Sequence, residues 1–148
     1  MTDKRILGIG VISLGWMGRL HARSYRAIAE RFPELGVVPR LVAAADPVDQ
    51  VRQEAVDNLG FERAYADYRE LLADPEVEAV SICAPNFLHH EMALEAVKAG
   101  KPFWIEKPMG VSAAQSREIA QAAEKADLVT AVGFNYRHTP AIEYLRSL

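Results

Sequence analysis

Apolar runs of strand length alternate with helix-period segments along the 148-residue chain, and a glycine-bearing turn follows the first run. The second run closes on an acid, Asp46. Together these features predict an α/β fold with a doubly wound parallel sheet, Rossmann-like, because alternating strands and helices form βαβ units whose crossovers are right-handed. A ligand of such a sheet lies beyond the carboxyl ends of its strands.

The elements follow in order. Strands are predicted over Arg5–Ile12, Leu41–Ala45, a short segment near Ala64, Ala79–Cys83, Pro102–Ile105 and Leu128–Gly133, each a short apolar run. Helices are predicted over Met17–Glu30, Val48–Leu59, Tyr68–Leu72, His89–Ala99 and Ala113–Lys125, with a last one starting at Pro140. Gly60 and Gly100 stand where helix C-caps favour a residue tolerant of positive φ, Asp67 can cap the short third helix, and Ser112 with Gln115 makes a capping box. Phe32, Pro33, Glu34, Leu35, Gly36 and Pro39 read as a loop inserted between the first helix and the second strand.

Composition narrows the function classes. Half the residues are hydrophobic and a quarter charged, an ordinary globular balance, and 148 residues is the size of one domain. The net charge of −3, from 17 basic and 20 acidic residues without long single-sign blocks, gives no footprint for nucleic acid or an anionic membrane. Cys83 is the one cysteine, so disulfides within the chain and CxxC metal or redox sites are excluded, and a reducing, cytoplasmic setting fits. Lys4 and Arg5 before an apolar stretch imitate a signal peptide. Gly8, Gly10, Gly15 and Gly18 interrupt that stretch, which is also too short to span a ~30 Å bilayer, so it reads as a buried strand and turn.

Three places carry chemistry. Set against G-x-G-x-x-G, the first turn has Ser13, Gly15 and Gly18: in such a turn the second glycine lets backbone approach a pyrophosphate, and the third lets helix pack on strand. Ser13 replaces the tight-turn glycine; a serine with negative φ can make the turn, and its hydroxyl can reach a phosphate. Asp46 lies 28 residues beyond Gly18 (46 minus 18), more than the usual ~20, and the inserted loop accounts for the excess. An acid at that strand end accepts the adenosine ribose hydroxyls and repels a 2'-phosphate; the other reading is an Asp-Pro turn capping the next helix, and the two can coexist. Arg52 is the first cation after Asp46. At the end of the fifth strand stand Glu106, Lys107 and Pro108. A lysine there can stabilise an alkoxide or pass a proton, although most lysines are solvated surface groups.

Together, Gly15, Gly18 and His21, then Pro85, Asn86 and His89, then Glu106, Lys107 and Pro108, and finally Gly133, Phe134, Asn135, Tyr136 and Arg137 resemble the glucose-fructose oxidoreductase and inositol dehydrogenase (Gfo/Idh/MocA) family. The resemblance implies an amino-terminal domain binding NAD or NADP, with NAD preferred on the strength of Asp46. It also implies a second α/β domain that completes the substrate pocket and forms much of a homo-oligomer interface. Lys107 is then the catalytic lysine, the Lys107–Pro108 bond is expected cis, and Pro85 and Asn86 match the loop beneath the nicotinamide end. An aspartate and a histidine from the second domain would complete the catalytic set.

Trp16 and Met17 follow a binding glycine and can flank the cofactor. His89 steadies the loop or the dinucleotide, Asn135 and Arg137 share the sheet edge where nicotinamide or substrate would lie, and His21 packs on the first turn. Trp104 reads as core. No metal site is expected, since His89 and His90 do not share a helix face and no carboxylate stands at ligand spacing.

The expected boundaries are a cofactor domain over 1–138 and, over 139–148, the start of a helix leading to a second domain beyond this sequence. The expected function is the cofactor half of an NAD(P)-dependent oxidoreductase moving hydride between nicotinamide and a hydroxyl-bearing carbon of a polyol, sugar or glycoside. The alternatives are a stand-alone NAD-binding or redox-sensing module, and an S-adenosylmethionine methyltransferase, against which Glu106-Lys107-Pro108 argues.

Overall fold

The computed structural model describes residues 4–148. Six parallel strands, β1 (Arg5–Ile12), β2 (Val37–Ala45), β3 (Arg63–Tyr65), β4 (Ala79–Ile82), β5 (Phe103–Ile105) and β6 (Thr130–Val132), lie in the order β3-β2-β1-β4-β5-β6. Helices α1 (Trp16–Arg31), α2 (Asp49–Glu54, continued by a π-turn over Ala55–Leu59), α3 (Tyr68–Ala73), α4 (Asn86–Lys98) and α5 (Ala113–Lys125) form the crossovers, and α6 (Pro140–Ser147) follows β6.

The order of strands fixes where the helices go. From β1 the chain steps outward twice to β3, then returns across the sheet and steps the other way through β4, β5 and β6, so right-handed crossovers put α1 and α2 on one face and α3, α4 and α5 on the other. Two cores result. Ile9, Val11, Leu41 and Ala44 pack with Ala22, Ala55 and Leu59 on the first face. On the second, Ile12, Val80, Ile82, Phe103 and Ile105 pack with residues of α3, α4 and α5. Over β5 and β6 the first face has no crossover helix of its own.

Register carries the strand ends to a common line. Ile12 lies beside Ala45 and Ile82, Ala45 beside Tyr65, Ile82 beside Ile105, and Ile105 beside Val132. The ladder runs one residue further: Ser13 N–H donates to Ala45 O, Asp46 N–H to Tyr65 O, Cys83 N–H to Ile12 O, Glu106 N–H to Ile82 O and Gly133 N–H to Ile105 O, all at 2.7–3.1 Å. Ser13, Asp46, Cys83, Glu106 and Gly133 therefore make up the carboxyl edge.

Several local expectations shift. Pro39 stands inside β2 beside Leu7 and not in a loop; β3 reaches only Ala43–Ala45, so this half of β2 is an outer edge where a missing N–H is tolerated. The inserted segment shrinks to Phe32, the 3₁₀ turn Pro33–Leu35 and Gly36. The second helix is α-helical only to Glu54. The fourth begins at Asn86, so His89 and His90 lie inside it and do not open it. Gly60 and Gly100 have φ of 85° and 66°, Asp67 accepts from Arg69 N–H, and Ser112 Oγ accepts from Gln115 N–H. Gln115 reaches back to Val111 N–H, one residue before the reciprocal position. The Lys107–Pro108 peptide is cis. Among the described residues no helix is long and apolar enough to cross a membrane.

Asp74, 6% exposed, anchors the opposite edge by accepting two bonds from Arg63 at 2.7 and 2.9 Å, one from Tyr65 Oη–H at 3.1 Å and one from Glu76 N–H at 3.0 Å. The Arg63 guanidinium, first among these, pulls the carboxyl down to about 2 in the fold, against ~3.9 in an unfolded chain. A depressed folded value means that this contribution is full above ~3.9 and is lost as pH falls through about 2. Asp74→Asn should therefore reduce the stability lost between pH 5 and pH 2 by on the order of 2 kcal/mol, read from urea unfolding at a series of pH values. An unchanged pH dependence would contradict the assignment.

Candidate dinucleotide site

At the carboxyl edge the turn between β1 and α1 has a backbone that the sequence reading did not anticipate. Ser13 has φ +68°, in the left-handed region that glycine favours, and not the negative φ expected of it. Two bonds hold it there: Ser13 N–H to Ala45 O at 2.7 Å, and Leu14 N–H to Asp46 Oδ2 at 2.9 Å. The two glycines differ in what they permit. A Cβ at Gly18 would drive into the Ser13 carbonyl oxygen, whereas one at Gly15 meets nothing within 4 Å. Gly18 is there for helix–strand packing; Gly15 faces open space at the helix start.

Helix α1 starts at Gly15 with no side-chain cap and no acidic residue in its first turn. Its leading N–H groups lack intrahelical partners and carry the positive end of a 16-residue helix. Such an end accepts an anion.

Asp46 is 8% exposed. Its Oδ2 is bound to Leu14 N–H and its Oδ1 to Val48 N–H at 3.0 Å, so the acid forms the Asp-Pro turn and also ties β2 to the glycine turn. Each oxygen keeps a further lone pair. Arg52, distant by sequence spacing, folds back so that Nη1 donates to Asp46 O at 2.8 Å, with Asp49 holding its other arm. Although no Arg or Lys stands within the five residues that follow Asp46, the fold thus sets a cation beside it.

The predicted residues line two hollows on this edge and do not converge on one cleft. The first, about 290 Å³, is lined by Ser13, Asp46, Pro85, Leu88 and Met92 among others. The second, about 510 Å³, is lined by Trp16, Met17, Glu106, Lys107 and Asn135, and continues down α1 through His21, Tyr25 and Ile28. The turn serves both, giving Ser13 to one and Trp16 with Met17 to the other. The second opens where the topology leaves β5 and β6 without a helix, which also places Trp104 on its wall and not in the core. Trp16 is 78% exposed.

The remaining residues sort by burial. His89 is 1% exposed, with Nδ1 2.9 Å from Pro108 O and Nε2 2.7 Å from Ala84 O. It ties the loop after β4 to the loop after β5 and is closed off from a ligand. Asn86 is exposed at the start of α4, Lys107 is exposed after β5, and Asn135 and Arg137 are exposed in the 3₁₀ turn Asn135–His138. Arg137 lines neither hollow. Burial, with a smaller push from Glu106, raises the Cys83 thiol, so it is held neutral. Among the described residues no three His, Cys, Asp or Glu side chains are grouped to hold a metal ion.

Sequence reasoning missed Tyr25 and Ser81. His21 and Tyr25 are four apart on one face of α1, and both bond to Ser81, the single polar residue in β4, at 3.1 and 2.7 Å. A lone polar side chain in an apolar strand was the available signal.

Residues 7–134 match the oxidoreductase family with an NAD-binding Rossmann fold, Gfo/Idh/MocA. Over 138 residues the chain is 36% identical to levoglucosan dehydrogenase of Pseudarthrobacter phenanthrenivorans, covering 92% of this chain and 35% of that protein. It is 34% identical over 129 residues to myo-inositol 2-dehydrogenase of Thermotoga maritima, covering 87% of this chain and 36% of that protein. The crystal structure of an NAD binding oxidoreductase from Klebsiella pneumoniae superposes with TM-score 0.89 at 43% identity, over 95% of this chain and 38% of that one. Levoglucosan dehydrogenase in complex with NADH and levoglucosan superposes with TM-score 0.90 at 33% identity, over 97% and 40%. The chain thus spans little more than a third of the length of these relatives.

The glycines make a sharp prediction. Gly18→Ala should destabilise by ~1–3 kcal/mol, as an overpacked contact does, and Gly15→Ala should leave the melting temperature nearly unchanged. Differential scanning calorimetry of both variants checks this. Equal melting temperatures would show that the turn is slacker than its geometry states.

Proposed function

The chain belongs to the Gfo/Idh/MocA oxidoreductase family, whose NAD-binding Rossmann fold it spans, and from that membership we propose that it is the cofactor half of an NAD-dependent oxidoreductase acting on a hydroxyl-bearing carbon of a polyol, sugar or glycoside. The observation that carries the reading is the single edge on which the open Gly15 turn, the Asp46 carboxylate and Lys107 stand together. These residues fit a dinucleotide. The N–H groups at the start of α1 would take the pyrophosphate, and the free lone pairs of Asp46 the adenosine ribose hydroxyls. Leu88 would wall the adenosine side together with Pro85, which stands beside Asp46 in the first hollow and not at the nicotinamide end that the resemblance implied for it. Trp16, Met17 and Asn135 would flank the nicotinamide side, while Asn86 and Arg137, exposed on the same edge, line neither hollow.

When bound, the nicotinamide supplies a hydride acceptor or donor. The protein's own part is positioning and proton handling. Lys107, at the mouth of the second hollow, would stabilise the alkoxide of the substrate carbinol through its ammonium and carry its proton. The name of the Pseudarthrobacter relative, and the ligands of a levoglucosan dehydrogenase complex, support the polyhydroxyl substrate class. Membership of the family removes the ground for the methyltransferase alternative. In the complete protein, a second domain would supply the remaining substrate wall and the contacts of a homo-oligomer. Orientation of two reactants supplies ~7–11 kcal/mol of rate advantage in well-built sites, and Lys107, exposed after β5, would depend on that second domain for it.

Two outcomes follow. In calorimetric titrations the chain should bind NAD in preference to NADP; Asp46→Ala, which also removes the acceptor for Leu14 N–H, should weaken NAD by roughly tenfold or more and narrow the difference. Equal or tighter NADP binding by the unaltered chain would leave Asp46 as a turn residue only. Incubated with NAD and a panel of polyols and sugars, the 148-residue chain should bind cofactor without forming reduced nicotinamide. Lys107-dependent turnover by this chain alone would mean that the active site lies wholly within it.

A further inference from the structure

Between α1 and the sheet runs a chain of four polar side chains from three elements. Tyr25 Oη lies 2.7 Å from Ser81 Oγ, Ser81 Oγ lies 3.1 Å from His21 Nδ1, and His21 Nε2 lies 3.0 Å from Glu106 Oε1. Ser81 is fully buried, Glu106 is 7% exposed, and the indole of Trp104 packs edge-on against the His21 ring at 6.0 Å. A row of apolar residues would fill this space at lower cost, since buried charge is expensive unless fully partnered.

The direction of the protons follows from the end of the chain. A carboxylate only accepts, so the hydrogen of a neutral His21 sits on Nε2 and points at Glu106. Nδ1 is then a bare acceptor and takes the Ser81 hydroxyl hydrogen, and Ser81 Oγ in turn takes the hydrogen of Tyr25. Burial pushes the Tyr25 phenol up and keeps it a donor. With His21 neutral, each link is satisfied in this sense.

What the chain delivers is a carboxylate with one oxygen fixed. Among the described residues His21 is the only ion-pair partner of Glu106, and its Oε2 has no hydrogen-bond partner. Glu106 lines the second hollow beside Lys107 and Met17. Room for its carboxylate depends on Gly133, where a Cβ would stand 2.6 Å from Glu106 Oε1. A carboxyl oxygen held in a fixed orientation with no partner of its own suits an N–H donor, such as the amide hydrogen of a primary carboxamide.

We propose that His21 is a positioning residue that, through the Tyr25–Ser81–His21–Glu106 chain, presents Glu106 Oε2 as the acceptor for the carboxamide of a bound nicotinamide. This rests on the dinucleotide reading above. His21 does not touch the cofactor; it decides which way Glu106 faces.

Calorimetric titration of the 148-residue chain with NAD and with ADP-ribose, which lacks the nicotinamide ring, separates the possibilities. His21→Ala should weaken NAD by roughly tenfold, the worth of a hydrogen bond to a charged group, and leave ADP-ribose within about twofold. His21→Gln, whose amide N–H can still reach Glu106, should recover most of the loss. Tyr25→Phe, which leaves the His21–Glu106 bond in place, should show a smaller loss of the same selectivity and guards against a misfolded His21→Ala. As a further arm, 3-acetylpyridine adenine dinucleotide, which has a methyl ketone in place of the carboxamide, should bind the unaltered chain as weakly as NAD binds His21→Ala. Equal losses for NAD and ADP-ribose, or no loss of NAD in any variant, would overturn the proposal and leave a purely structural network. Failure of the unaltered chain to bind either ligand would instead overturn the dinucleotide reading, and this proposal with it.

Discussion

Parallel strands can be joined only by crossovers, and crossovers of L-amino acids turn one way. From that constraint comes the placement of every group with chemistry in this protein. Because the chain starts in the middle of the sheet, moves outward and then returns past β1, it leaves a crevice at the carboxyl ends of β1 and β4, on either side of the reversal. The same handedness sends α3, α4 and α5 to one face and leaves β5 and β6 bare on the other. The second hollow, with Trp104, His21 and Glu106 on its wall, is the direct result.

Within that frame one carboxylate sets the site. Asp46 reaches from β2 across to Leu14 N–H, and this bond lies next to the residue whose φ of +68° makes the glycine turn possible without a glycine. The cost of a left-handed serine, on the order of 1 kcal/mol, is offset by two buried hydrogen bonds at the turn. Asp46 therefore couples the shape of the anion site to the acid that would read the ribose. Altering it to change cofactor preference also slackens the turn.

How much was legible in the sequence depended on whether the deciding contact was local. The α/β class, the six strands and the caps at Asp67, Ser112, Gly60 and Gly100 rest on neighbours within a few residues, and these appear close to where the pattern put them, although β2 begins already at Val37. The edge position of Ser13, Asp46, Pro85 and Lys107 followed from strand ends alone. What the pattern hid was long-range or three-dimensional. The φ of Ser13 is set by a carboxylate 33 residues away (46 minus 13), and Arg52 returns to Asp46 across the turn that Val48 N–H closes on Asp46 Oδ1. Trp104 alternates with Phe103 and Ile105, so its face was readable, but the absence of a covering helix on that face belongs to topology. His89 was read by position as steadying either the loop or the dinucleotide, and its burial makes it a brace between two loops, out of reach of a ligand.

One dinucleotide lying along this edge would cover both hollows. Backbone amide shifts of the labelled protein, followed by NMR during titration with NAD, test it most directly. Perturbation is expected at Leu14–Gly18, Asp46, Asn86, the Glu106–Lys107 segment and Asn135, and not elsewhere. Perturbation centred instead on the shallow depression by Asp49, Gln53 and Val56, or at the Arg63–Asp74 edge, would contradict it.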